Sequence, residues 1–219
     1  MFLPKYVEEI LDETTINQSG KKEKIVLQKI NLINGDKTVI ELNNISFWFW
    51  LLFMFTVLLL ILKLDRLFND LKFKNATLSY EIEQKIWELW STHPSDKNLT
   101  AMLAEGSNLV NKQKFDQAIV VFSKVIDLDP KWAEAWNKRA TVLYMIGEFQ
   151  KSQDDIDKVL ELEERHFGAL AGQGLVNIQL ENYDKAIMSY KKAQQIYPKM
   201  KSPKIMIKQI EELIRSQSI

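Results

Sequence analysis

Residues able to do covalent chemistry are few and scattered in this 219-residue chain. It contains no cysteine, which excludes disulfides, thiolate catalysis and thiolate metal sites. The two histidines, His93 and His166, lie far apart and in no HxxxH or HxxE spacing. Each is therefore expected to be a surface or helix-capping residue, and we predict no metal site and no cofactor.

Carboxylates and charge balance argue against two further classes of protein. The densest acidic cluster, Asp154, Asp155 and Asp157, falls in a helical pattern, where neighbouring side chains point in different directions and are expected to face solvent. The sequence lacks a GxSxG motif and any paired nucleophile and base, so an enzyme is not predicted. Basic and acidic residues balance at 29 each, which gives no reason to expect a nucleic-acid partner.

Aromatic, small and apolar residues recur every 34 residues between positions 99 and 200. The spacing relates Phe115, Phe149 and Tyr183; Ala118, Ser152 and Ala186; Phe122, Ile156 and Tyr190; Val125, Val159 and Ala193; and Pro130, Glu164 and Pro198. A fixed period of this length predicts stacked helical hairpins, each of which buries its apolar face against its neighbours. We number the hairpins unit one (99–132), unit two (133–166) and unit three (167–200).

The segments on either side of the repeats have their own patterns. Residues 201–219 carry an apolar stripe opposite a charged face, which predicts a capping helix over the last repeat. Residues 63–98 are predicted to be a degenerate helical hairpin of the same repeat. Residues 1–44 form a polar N-terminal region, in which the sequence pattern predicts a short helix and a β-hairpin around Asn34-Gly35.

One segment, residues 45–62, has no charged residue over 18 positions. As a helix rising about 1.5 Å per residue it would span roughly 27 Å, close to the hydrocarbon thickness of a bilayer. Trp48 and Trp50 near one end match the aromatic belt found at membrane interfaces. The segment therefore predicts a single transmembrane helix in front of the repeats.

The repeat residues resemble the tetratricopeptide repeat (TPR), whose pattern runs W-x2-L-G-x2-Y followed by A, F, A and P. In unit two, Trp136 stands at the first position and is expected to be buried, with Ala140 at the small position. Units one and three supply Gly106, Leu109, Ala118, Phe122 and Pro130, then Leu170, Gly174, Ala186, Tyr190, Ala193 and Pro198. The expected fold class is all-α: a right-handed α-solenoid of TPR hairpins with a C-terminal capping helix, preceded by one transmembrane helix.

Two strings, AWNKRATVLY and RHFGALAGQG, are more narrowly similar to membrane-anchored or exported TPR proteins of alphaproteobacteria. The leader of that group implies a periplasmic repeat domain. The excess of Lys63, Arg66, Lys72 and Lys74 after the apolar segment, against Lys37 before it, favours the cytoplasm instead. We expect a single-pass membrane protein with periplasmic repeats, and the cytoplasmic orientation stays open.

The TPR resemblance implies that a protein or peptide binds on the concave face, which the first helix of each unit lines. It places a partner-binding groove at Asn137, Lys138, Thr141, Tyr144, Ala171 and Leu175. Repeat domains that hold chaperone tails use a clamp of basic and amide side chains; Leu103, Ser107, Gly168 and Gly172 stand in its place here. The predicted function is a membrane-anchored protein–protein interaction scaffold or adaptor; the alternative is a binder of a small molecule or lipid-related ligand in the third repeat.

Three glycines, Gly168, Gly172 and Gly174, fall within one predicted helix of unit three. Each costs the helix about 1 kcal/mol relative to alanine, so a compensating reason is expected. Close packing between repeats is the favoured reason for Gly174, which occupies the small position of the TPR pattern. For the other two, packing and a groove open to a ligand backbone are equally good explanations.

Overall fold

The computed structural model describes residues 62–73 and 76–217, together with Leu51, Leu52, Met54, Phe55, Leu58 and Leu59. The chain divides into two compact units, Met1–Leu60 and Ile61–Ile219. The helix and β-hairpin expected in residues 1–44, and most of the expected transmembrane segment, lie outside the described residues. Within the described part, no helix is both long and apolar enough to cross a membrane.

The described part of the second unit is built from helices. Residues 62–73 form α1, and Ala76–Ser91 form α2. The remaining helices are α3 (Lys97–Asn111), α4 (Phe115–Leu128), α5 (Ala133–Met145), α6 (Phe149–Leu162), α7 (Phe167–Gln179), α8 (Tyr183–Ile196) and α9 (Lys201–Gln217). From α3 onward each helix packs against the next one, and the described residues contain no strand, so the prediction of an all-α TPR-type solenoid is confirmed.

In units one and three, a large ring packs over a glycine at the same place in the hairpin. A Cβ atom on Gly174 would lie 2.5 Å from Cζ of Tyr190, and one on Gly106 would overlap the ring of Phe122. Ala140, at the equivalent position of unit two, is buried. The two helices of a hairpin therefore approach closely where the side chain is small. Close packing explains Gly174, but the packing is within its own hairpin and not between repeats as expected.

The turn inside each hairpin uses one residue in the left-handed region. Gln113, Gly147 and Glu181 have φ angles of 58°, 82° and 59° and stand 34 residues apart. In each turn the next backbone N–H donates to a carbonyl of the preceding helix at 2.8–2.9 Å, which satisfies an end of that helix. Glycine adopts this conformation freely, whereas other residues pay about 1–2 kcal/mol.

Two side chains depart from their expected environments. Trp136 is half-buried rather than buried: it lies where the cores of units one and two meet, and its Nε1 donates to the carbonyl of Pro130 at 3.0 Å. The indole of the nearby Trp132, just before α5, is buried. Asp155 is also buried, unlike the exposed Asp154 and Asp157 beside it. Arg139 explains this burial because it donates two hydrogen bonds of 2.8 Å to the Asp155 carboxylate.

Helices α1 and α2, which we call the strap, do not continue the stack as a degenerate repeat in front of α3. The apolar face of α2 packs instead with Phe167 and Tyr197, which lie at the beginning of α7 and just after α8. That face consists of Ile82, Ile86 and Trp90. Large aromatic side chains on α2 need a wide apolar site, and the loops between the units provide one. The strap therefore crosses the ends of the repeats.

The turn geometry gives a stability prediction. Gly147→Ala should lower the free energy of unfolding by about 1 kcal/mol, because no atom lies within 4 Å of the new Cβ and the cost is conformational alone. Gln113→Gly, at the equivalent position, should raise it by up to about 1 kcal/mol. Urea denaturation measures both changes, and equal effects of the two substitutions would contradict the left-handed geometry.

Candidate binding groove and the strap beside it

Aromatic rings of the strap cover the first turn of α7. The indole of Trp90 stacks on the His166 ring, with centroids 3.9 Å apart and planes 8° from parallel. Trp87 meets His166 and Phe167 edge-on, at 5.5 and 5.4 Å between centroids. Such pairs contribute about 0.5–1.5 kcal/mol each beyond the area that they bury, so they fix α2 firmly against unit three.

Polar contacts join the strap to three loops of the solenoid, which follow α4, α6 and α8. Trp132 Nε1 donates to the carbonyl of Trp90 at 2.8 Å, Arg165 Nη1 to Asp65 at 2.6 Å, and the Tyr197 hydroxyl to Glu83 at 3.1 Å. Burial, together with the Glu83 carboxylate, raises the pKa of Tyr197 to about 12, so its hydroxyl stays a donor at neutral pH. The strap thus braces units one, two and three against each other.

A buried acid–histidine pair lies under the strap. The Nδ1 atom of His166 accepts the N–H of Ala169 at 3.0 Å, so the proton belongs on Nε2, which donates to Glu134 Oε2 at 3.1 Å. Asn137 also donates to this carboxylate, at 3.0 Å, and the Lys138 ammonium lies 3.2 Å from Oε1. Both ring nitrogens of His166 therefore form hydrogen bonds, and its expected role as a helix cap is confirmed.

The pKa of Glu134 reflects these partners. Burial alone would raise the pKa, but the hydrogen bond from His166 and the nearby ammonium of Lys138 more than offset that effect, and the pKa lies below its ordinary value of 4.5. A carboxylate whose pKa is lowered by folding stabilises the fold above pH 4.5. That contribution disappears as the pH falls through the lower pKa of the folded state.

Four of the six expected groove residues line one small cleft between α5 and α7. These are Asn137, Thr141, Tyr144 and Leu175. The buried side chains of Ile156 and Val176 also line the cleft, whose volume is about 80 Å³. These four side chains therefore lie together, at a site with an apolar lining and polar groups beside it.

The other two expected groove residues have different surroundings. Lys138 is half-buried and directs its ammonium to Glu134, one turn earlier on α5. Ala171 packs with Tyr190 and Ile210, and so faces α8 and α9. Both miss the cleft because neighbouring positions on a helix differ by about 100° in direction. The cleft is therefore lined by fewer of the expected residues, and it lacks the expected charge of Lys138.

The two glycines left open by the sequence have different environments. A Cβ on Gly168 would lie 2.5 Å from Cη2 of Trp87, so this glycine makes room for the strap. A Cβ on Gly172 would meet only Cδ1 of Ile156, at 3.7 Å, and would point into the cleft. Close packing explains Gly168, whereas Gly172 borders open space. Trp87 lies outside the repeat, so the sequence carried no periodic signal for this contact.

The positions of the chaperone-tail clamp hold no basic side chain. Leu103 is buried, and the Ser107 hydroxyl donates to the Leu103 carbonyl at 2.9 Å. Gly168 is covered by Trp87, and Gly172 borders the cleft. Helix α7, FGALAGQGLVNIQ, has no charged residue along its length. This wall of the groove has no cation with which to bind a carboxylate.

The glycine pair on α7 gives a prediction with opposite signs. Gly168→Ala should destabilise the protein by about 1–3 kcal/mol because the ring of Trp87 must move. Gly172→Ala, in the same helix, should stabilise it by up to about 1 kcal/mol, because alanine favours the helix and its Cβ fits. In a Trp87→Ala background the Gly168→Ala penalty should vanish. Urea denaturation of the four variants measures these changes, and an unchanged penalty would contradict the contact.

The buried carboxylate gives a pH prediction. The wild type should exceed Glu134→Gln in free energy of unfolding at pH 6, and the difference should shrink as the pH falls towards 3, because only the wild type loses a favourable carboxylate on protonation. Chemical denaturation across this range measures the difference. Glu161→Gln, at an exposed position of α6, is the matched control and should show no such trend. A pH-independent difference for Glu134→Gln would contradict the buried pair.

The sequence of this chain is similar to those of known repeat proteins. The tetratricopeptide repeat family model matches residues 99–131 and 168–200. A TPR repeat-containing protein of Rhizobium etli is 29% identical over 137 residues, 62% of this chain and 67% of that protein. Sperm-associated antigen 1 of Homo sapiens is 22% identical over 54% of this chain, which spans 13% of its length.

Solved structures share the helical stack. The TPR domain of Sgt2 from Aspergillus fumigatus superposes with a TM-score of 0.54 and 15% identity, over 56% of this chain and 83% of that chain. The first TPR domain of Spaghetti (RPAP3), bound to an HSP90 peptide, gives 0.52 and 18%, over 53% and 93%. At these identities the likeness concerns the fold alone. The likeness supports a TPR-type helical fold, and the match to the tetratricopeptide repeat model is confined to residues 99–131 and 168–200.

Proposed function

We propose that this chain is a membrane-anchored TPR scaffold or adaptor that binds a protein or peptide segment between α5 and α7. The observation that carries the proposal is the single cleft shared by Asn137, Thr141, Tyr144 and Leu175. An apolar lining gives a bound segment affinity, and the amide and hydroxyl groups beside it can orient the polar atoms of that segment. The Rhizobium relative gives limited support to an alphaproteobacterial type of protein.

The size of the cleft favours a protein segment over the alternative of a small-molecule or lipid-related ligand. Pockets for such ligands usually have volumes of about 300–1,000 Å³. The cleft between α5 and α7 has about 80 Å³, which holds only a small part of a ligand of that kind. An extended or helical segment can place one side chain there and make its other contacts along the groove.

The segment differs in chemistry from the peptide bound by Spaghetti. That HSP90 peptide, SRMEEVD, ends in acidic residues. In this chain, α7 has no charged residue, and the Lys138 ammonium already lies 3.2 Å from Glu134. We therefore propose a partner other than an acidic C-terminal tail.

The groove predicts the effect of a double substitution. Thr141→Arg with Leu175→Arg should reduce capture of the cross-linked partner at least tenfold, because two exposed positions at the cleft gain bulk and charge. The control is Val120→Arg with Met188→Arg, at exposed positions on α4 and α8. Both proteins should keep the wild-type circular dichroism and melting temperature. Wild-type capture by the groove variant would place the binding site elsewhere.

Residues 45–62 are proposed as the membrane anchor. The charge-free run supports this, as do the exposed apolar side chains of helical residues within it, such as Leu52 and Phe55. The full chain should stay in the membrane pellet after carbonate extraction, and deletion of residues 45–62 should release it. Alkaline phosphatase fused after Ile219 should be active if the repeats are periplasmic, as we propose. Recovery of the full chain in the supernatant would rule out the anchor.

A further inference from the structure

The strap limits the part of the groove that a partner can reach. The indole of Trp87 lies over Gly168, so the first turn of α7 is already covered by the chain itself. One turn later, Gly172 is partly exposed, and Thr141 and Leu175 beside it are exposed. The point at which a partner side chain can enter is therefore the cleft over Gly172.

The volume of this cleft defines what can enter. An apolar cavity of about 150 Å³ holds a benzene ring. The cleft has about 80 Å³, roughly half of that, which suits one aliphatic side chain but not an aromatic ring. The space exists because residue 172 has no side chain: even a Cβ would approach Ile156, and a longer side chain would occupy the cleft.

The charges around the cleft define the rest of the partner segment. Helix α7 has no charged residue, and the nearby ammonium of Lys138 is paired with the buried Glu134 carboxylate. A carboxylate or ammonium brought to this surface would lose water without gaining a partner of opposite charge. The surface is therefore complementary to an uncharged segment.

We propose that the cleft over Gly172 takes one leucine, isoleucine or valine side chain from an uncharged segment of a partner protein. This rests on the proposed function, because it requires that a protein segment binds in the groove. It goes further by naming the side chain that anchors the segment and by excluding acidic tails and aromatic anchors.

Photo-cross-linking in cells tests both the proposed function and the aliphatic anchor. A benzophenone amino acid replaces Met145, which is exposed one turn beyond Thr141 on α5, in the full chain. Mass spectrometry then locates the cross-linked residues of the partner. We expect segments with a leucine, isoleucine or valine and without Asp or Glu beside it. Absence of any cross-link would overturn the proposed function itself.

Two other kinds of cross-linked product would overturn only the further inference: acidic tails and segments anchored by an aromatic residue. Each would show that the groove binds a partner segment of different chemistry. A cross-link to a second copy of this chain, or to its own residues 1–61, would overturn the proposed function as well.

Filling the cleft provides the second measurement. Gly172→Leu should reduce the cross-linking yield at least tenfold while the melting temperature stays at or above that of the wild type, because leucine also favours the helix. Gly172→Ala should fold stably and give a smaller loss, since its Cβ fills only part of the space. Val120→Leu, at an exposed position on α4, is the control and should bind normally. Unchanged yields for both glycine variants would refute the aliphatic anchor.

Discussion

The stacking of Trp90 on His166 is the contact on which the arrangement of this protein depends. The same imidazole caps α7 through Nδ1 and donates to the buried Glu134 of α5 through Nε2. One ring therefore joins the strap, unit two and unit three. The face of the His166 ring and both of its nitrogens are engaged. A substitution of His166 therefore cannot remove one of these roles without disturbing the others. The cleft over Gly172 begins one turn of α7 beyond the part of the helix that the strap covers.

The repeat period accounts for the parts of the fold that depend on contacts within a unit. Phe115, Phe149 and Tyr183 are related by the 34-residue spacing, and α4, α6 and α8 begin at these residues. Glu164 replaces the usual proline in unit two, yet α6 ends at the position equivalent to the end of α4. The strap could not be predicted in this way, since its contacts join residues that belong to no repeat. Glu83 and Tyr197, for example, are 114 positions apart.

The same distinction applies to the groove. Thr141, Tyr144 and Leu175 share one cleft because the period fixes the face of the helix on which each of them lies. Polar pairing between the two helices of a unit depends on the residue types at the two positions, which the period does not fix. Arg139 holds Asp155 at 2.8 Å, whereas their equivalents 34 residues later, Gln173 and Ser189, make a neutral hydrogen bond of the same length. One site thus accepts an ion pair or a neutral pair, and sequence position does not say which.

The strap also has a consequence for synthesis on the ribosome. A simple solenoid can fold unit by unit as it emerges, because each hairpin contacts only its neighbours. The aromatic face of α2, in contrast, is made before its docking site exists. At about 5–20 residues per second, the 114 positions from Glu83 to Tyr197 take roughly 6–23 s. Until His166 and Phe167 are synthesised, the indoles of Trp87 and Trp90 lack these two partners and remain apolar surface on the nascent chain.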